Sequence, residues 1–209
     1  MANSSEIEME LAIDVGMTER PVVEGAASGD IHVVKEYEAG VLMAVLDGSG
    51  HGALARDAAM TAARILEAYA GEPTATLTAR CHEALKSTRG ASMTLVWFRT
   101  QEDRIEWVGV GNVQGWLIRA GAAVRPRVET IVLQRGVLGY RLPLLRPASL
   151  AISPRDVVVL ATDGIFADFA ETLNVRHAPS RIAADIMGRR WKGNDDALVV
   201  VARYLGTEA

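Results

Sequence analysis

Three apolar runs in this sequence have acids at their ends, where charge is expensive. Asp47 follows the apolar run Val41-Leu42-Met43-Ala44-Val45-Leu46, and Asp163 follows Val157-Val158-Val159-Leu160-Ala161 by one threonine. Asp195 and Asp196 precede Ala197-Leu198-Val199-Val200-Val201. Each run has the length and composition of a strand covered on both faces. An isolated carboxylate at such a strand end neutralises or recruits a counter-charge, and several together call for a cation. Oxygen-only donors suit magnesium or manganese. The histidines (His32, His51, His82 and His177) are scattered without zinc-ligand spacing, and Cys81 is the single cysteine. If the strand after Asp196 runs antiparallel to the other two, the acidic ends meet at one edge of a sheet.

Asp47-Gly48-Ser49-Gly50-His51-Gly52 is the most informative segment. Glycine permits positive φ and lets a backbone carbonyl approach an ion closely. A helix starting at once would turn its N-terminal amides toward an anion such as phosphate. Taken alone, the segment also reads as a plain glycine-rich turn between a strand and a helix.

The elements that must position these residues follow from periodicity. Glu8 to Gly16 alternates as a half-buried strand does, and Ile31 to Tyr37 is a second strand. Gly52 to Ala70 reads as a helix with Leu54, Ala58, Ala62, Ile65, Leu66 and Tyr69 on its buried face, ended by Gly71 and Pro73. A second helix is predicted over Thr76–Ser87, and strands over Ser92–Arg99, Arg104–Val110, Gln114–Arg119 and Val157–Ala161. Pro179–Trp191 reads as a helix and Ala197–Arg203 as the last strand. Runs of strands, then helices, then strands indicate an α+β sandwich and not alternating βαβ units.

In order along the chain, Ser28-Gly29-Asp30, Asp47-Gly48-Ser49-Gly50-His51-Gly52, Ala91-Ser92-Met93-Thr94, Gly109-Val110-Gly111-Asn112, Thr162-Asp163-Gly164 and Asn194-Asp195-Asp196 resemble the PPM-type (type-2C-like) protein serine/threonine phosphatases. Within them, the resemblance is to the SpoIIE/RsbU/RsbX branch. It covers nearly the whole chain and implies a single domain over residues 1–209. The implied fold is a four-layer αββα sandwich of two antiparallel sheets flanked by helices. It implies two divalent cations, manganese or magnesium, with Asp47 bridging them and the Gly48 carbonyl and Asp30 on one side. Asp163 and Asp195 are implied as ligands of the other, Asp196 as a support behind them, and Asp47 and Asp163 as the acids essential to catalysis. With only a short stretch before Asp30, no regulatory region is expected ahead of the domain, as in the stand-alone stressosome members of the branch. The implied substrates are phosphoserine or phosphothreonine on STAS-domain stressosome proteins of the RsbS and RsbR kind, hydrolysed to reset a stress signal. Alternatives are a phosphatase of an anti-anti-sigma factor, or a module that binds a phosphoprotein without catalysis. The eukaryotic relatives carry histidine directly after the Asp-Gly pair, where this chain has Ser49. The general-acid role is therefore not carried to His51, which is left to contact phosphate or to cap the helix.

The remaining features bound the reading. The 209 residues are 49% hydrophobic and 23% charged with net charge −4, which fits one sizeable core and gives no reason to expect nucleic acid. No apolar stretch is long enough to span a bilayer, and the start lacks a basic region followed by an apolar run. With one cysteine and no targeting signal, a cytoplasmic location is expected. Residues 119–147 hold six arginines (Arg119, Arg125, Arg127, Arg135, Arg141 and Arg146) against the single acid Glu129. Arginine favours bidentate contact with phosphate or carboxylate. Arg135 and Arg141 are thus candidates for docking a phosphorylated partner, against the alternative of a solvated loop. Asp14, Glu10, Asp168 and Asp185 read as surface acids, with Asp168 close enough in sequence to Asp163 to reach a metal shell. Asn112 reads as a stabiliser of the loop near the site.

Overall fold

The computed structural model describes residues 12–206. Its strands are β1 (Ile13–Arg20), β2 (Asp30–Tyr37), β3 (Gly40–Gly48), β4 (Ala91–Arg99), β5 (Arg104–Val110), β6 (Gln114–Ile118), β7 (Val128–Thr130), β8 (Ala148–Ala151), β9 (Val157–Ala161) and β10 (Ala197–Tyr204). The helices are α1 (Ala53–Ala68), α2 (Thr74–Leu85) and α3 (Pro179–Arg190). Two five-stranded sheets form, ordered β1-β10-β9-β6-β7 and β2-β3-β4-β5-β8. Every strand pairing in them is antiparallel.

Alternation along the strands sorts the core into three layers. On β3, Val41, Met43 and Val45 face the other sheet, where they pack with Val158, Leu160, Leu198 and Val200. Leu42, Ala44 and Leu46 face outward beneath α1 and α2, with Ala58, Ala62, Leu66 and Leu77. Val157, Val159, Val199 and Val201 face the opposite way, beneath Ile182 and Ile186 of α3. The result is an αββα sandwich. Strands covered on both faces need apolar side chains at every position, which explains the unbroken runs. Each fully buried Val, Leu or Ile contributes about 1.5–3 kcal/mol.

The expected elements formed with local differences. The first strand begins at Ile13, and the earlier part of the anticipated Glu8–Gly16 segment, with Glu10, lies outside the described residues. Helix α1 is two residues shorter at its C-terminal end than anticipated, and its buried face is nearly all alanine: Ala55, Ala58, Ala59, Ala62 and Ala63 with Leu66. Leu54 and Tyr69, assigned to that face from periodicity, are 57% and 41% exposed. The small side chains let α1 lie close on β2 and β3, which turns the contact stripe away from its larger apolar residues. Strands β7 and β8 were not anticipated. Each has at most four residues, at a sheet edge, with no alternating pattern. Of the tryptophans, Trp107 and Trp116 are buried, and Trp97 and Trp191 are partly covered.

Candidate metal centre

The acids gather at one end of the sandwich, between the sheets and not along the edge of one sheet as the strand-end argument expected. Asp47 and Asp30 come from β3 and β2, where they are direct cross-strand partners. By alternation, Asp47 shares a face with Met43 and Val45, the face turned toward the second sheet. Asp163 follows β9, and Asp195 and Asp196 precede β10. Because β9 and β10 are antiparallel, the end of one and the start of the other coincide.

Hydrogen bonds stitch the two sheets together at this end. Thr162 Oγ1 donates to Asp30 Oδ2 at 2.8 Å, and itself accepts from the Leu198 amide at 2.9 Å. Asp196 accepts from the backbone amides of Val22 at 2.8 Å and Gly29 at 2.9 Å. Both carboxylate oxygens of Asp196 are thus engaged in holding the β1–β2 connection against β10. Asn112 Nδ2 donates to Asp163 Oδ2 at 2.8 Å, a contact with the site itself where only stabilisation of its own loop was expected. Thr162 and the two-amide anchor of Asp196 had no sequence signal beyond their place beside Asp163 and Asp195.

Two glycines permit the approach. A Cβ on Gly48 would sit 1.9 Å from the Ala55 carbonyl oxygen, so α1 can start directly over the strand end only because that side chain is absent. A Cβ on Gly164 would sit 2.1 Å from the Asp196 carbonyl oxygen, which would force the Asp163 turn away from β10.

The electrostatics are those of an acid cluster with Lys192 at its rim, where Nζ donates to the Asp163 carbonyl at 2.6 Å. Asp30 is 3% exposed, and burial, then repulsion from Asp47, raise its carboxyl to about 8 despite the hydrogen bond from Thr162. Asp47 is raised to about 7, first by burial and then by repulsion from Asp163, with Asn112 acting in the opposite sense and Asp195 and Asp196 adding to the rise. The neighbouring charges that raise these two groups most are other carboxylates. Among the described residues, no three His, Cys, Asp or Glu side chains close into a ready ligand group. The acids are held apart on separate protein donors, as their repulsion requires. The Oδ1 of Asn112, beside Asp163, is buried without a partner. All-oxygen donors that range from buried Asp30 to exposed Asp195, with an orphaned amide oxygen beside them, fit a hard divalent cation.

The other candidates fall elsewhere. His51 is exposed. It does not cap α1, whose N-cap is Gly52 with no side-chain hydrogen bond. Asp168 is turned to Arg190, at 2.8 Å, with a largely exposed side chain. Of the six arginines, Arg119 pairs with Asp156 and Glu129, Arg127 donates to the Glu171 and Leu173 carbonyls, and Arg125 donates within its own turn. Only Arg135, Arg141 and Arg146 remain as exposed candidates for docking.

Over residues 37–204 the sequence matches the family described as Stage II sporulation protein E (SpoIIE), and the chain belongs to that family. It is 30% identical over 86 residues to the phosphoserine phosphatase RsbX of Bacillus subtilis (strain 168), an alignment covering 41% of this chain and 43% of that relative. A chain from a structure of the bacterial stressosome, described as a modular system adapted to control secondary messenger signaling, superposes with a TM-score of 0.82 at 29% identity, covering 91% of this chain and 99% of that one. RsbX in complex with magnesium superposes with a TM-score of 0.80 at 20% identity, covering 91% and 94%. That last likeness shows the shared fold.

Proposed function

We infer that this chain is a metal-dependent phosphatase that removes phosphate from phosphoserine or phosphothreonine on a protein partner. The observation that carries the reading is the Asp30–Asp47 pair: cross-strand carboxyls, one buried and one half-buried, both raised by burial and by repulsion from further carboxylates. Family membership supports it, as does the partial identity to a phosphoserine phosphatase.

Asp47, the Gly48 carbonyl and Asp30 would hold one divalent cation, and Asp47, Asp163 and Asp195 a second, with manganese and magnesium the matching ions. Asp195 is the preferred ligand over Asp196, because its side chain is exposed while both oxygens of Asp196 already accept backbone amides. When bound, such ions neutralise phosphoryl oxygens and lower the pKa of water. The chain's own contribution is to fix the carboxylates. Asn112 orients Asp163, Thr162 orients Asp30, and Asp196 locks the loop that carries Gly29. The chain offers no Gly-x-Ser-x-Gly nucleophile elbow. Cys81 is buried under α1, its thiol pushed up to about 12 by burial, which leaves it inert as a nucleophile.

The proposed substrates are STAS-domain stressosome proteins of the RsbS and RsbR kind, in a cytoplasmic setting, with Arg135 and Arg141 on the docking surface. No helix among the described residues is long and apolar enough to cross a membrane. The test is phosphate release from a phosphorylated RsbS-like protein with and without manganese. Wild type is expected to depend on the ion. Asp163→Asn is expected to lose activity by about 10³-fold or more while melting as wild type does. Normal manganese-dependent turnover by that variant would rule out this centre.

A further inference from the structure

We propose that Arg89 binds the phosphoryl group at this site. The assignment rests on the phosphatase reading and adds a substrate contact that no acid can supply. A cluster of carboxylates repels a phosphate dianion as it does its own members, so substrate binding gains from a cationic side chain beside the cluster.

Arg89 lies in the turn between α2 and β4, distant in sequence from the arginine-rich stretch and outside every motif that marks the acids. The turn is pinned at both ends. The Thr88 amide and Oγ1 both donate to the Leu85 carbonyl, at 2.9 and 2.8 Å, and the Gly90 amide donates to Thr88 Oγ1 at 3.0 Å. Tyr140 Oη donates to the Thr88 carbonyl at 3.3 Å. Gly90 has φ of 74°, and a Cβ there would come within 2.5 Å of the Leu138 carbonyl oxygen. Its own carbonyl accepts the Ser49 amide at 3.0 Å, which joins this turn to the loop that leaves Asp47.

The geometry aims the side chain at that loop. A Cβ built on Gly50 would lie 2.9 Å from Arg89 Nη1, so the guanidinium rests over Gly50 in the space a side chain would fill. The Gly48 and Gly50 carbonyl oxygens both lie within 4 Å of a Cβ built on Gly29, next to Asp30. Arg89 is therefore a near neighbour of the proposed ligand set. Among the described residues it forms no ion pair and is exposed, so its donors are available to an incoming anion. Arginines that only support the fold behave differently here: Arg119 and Arg127 spend their donors on the protein. The planar fork suits two phosphoryl oxygens at once, which a lysine cannot reproduce.

The test measures the affinity of inorganic phosphate for the manganese-loaded protein by calorimetry, beside KM for p-nitrophenyl phosphate. Arg89→Ala is expected to weaken phosphate binding and raise KM by about tenfold or more, with manganese affinity and melting temperature unchanged. Arg89→Lys is expected to recover part of the loss. Phosphate affinity equal to wild type in Arg89→Ala overturns the assignment. So does a parallel loss of manganese affinity, which would make Arg89 a support of the loop. The phosphatase reading fails on a different result, the absence of phosphate release from the phosphoprotein by wild type, while calorimetry still reports on Arg89.

Discussion

Asp30 and Asp47 set the chemistry of the metal-free protein. Their folded carboxyls, at about 8 and about 7, stand above the unfolded value of 3.8. The folded chain therefore holds these protons more tightly than the unfolded chain. The resulting stability is full below the unfolded pKa and is lost as pH rises through the folded values. In chelator, the melting temperature of wild type is expected to fall from about pH 4 to about pH 8 and to level off above that. Asp47→Asn, which removes one of the repelling charges, should flatten that fall and melt at or above wild type near pH 8. A level wild-type profile in chelator would contradict the pair's burial. With manganese present the trend should reverse, since ligation needs the deprotonated carboxylates.

At the scale of elements, β6 shows what the arginine-rich stretch is for. Arg119, at its end, donates to the Ala151 carbonyl at 2.7 Å and to Asp156 at 3.1 Å, and pairs with Glu129. It thereby fastens β7 and the β8–β9 connection to the sheet edge. The Arg119 side chain is 11% exposed and that of Asp156 3%. Removing the guanidinium leaves buried Asp156 without its counter-charge, with only the Ala120 and Ser153 amides donating to it. Arg119→Ala is expected to cost about 3–5 kcal/mol, read by denaturant unfolding, with manganese affinity unchanged in the folded protein. A cost below about 1 kcal/mol would mean that the pair is no stronger than a surface ion pair.

The whole molecule presents residues 131–147 as a face with no acidic residue. Arg135, Arg141 and Arg146 are exposed there, among Val132, Tyr140 and Leu144, which are 82%, 69% and 75% exposed. The backbone of Leu138 pairs with Ala91 at the start of β4, which anchors this face beside the end of the sandwich that carries Asp47. Reversing charge in Arg135→Glu/Arg141→Glu is expected to lower kcat/KM on the phosphoprotein by about tenfold and to spare p-nitrophenyl phosphate. Equal effects on both substrates would remove the docking role.

The sequence by itself determined the sandwich and the acids. Strands buried on both faces must be apolar throughout, so β3, β9 and β10 are conspicuous, and so is any charge at their ends. Only the tertiary structure decided that these ends belong to two different sheets. It also decided that Thr162 and Asp196 tie the sheets together there, and that Arg89 leans over Gly50. Those relations join segments as much as 174 residues apart, and no local periodicity encodes a contact at that separation. The same holds for α1, whose alanines and not its larger apolar residues meet the sheet. The helix pattern specifies an apolar stripe, but the depth to which it is buried depends on the strands beneath it.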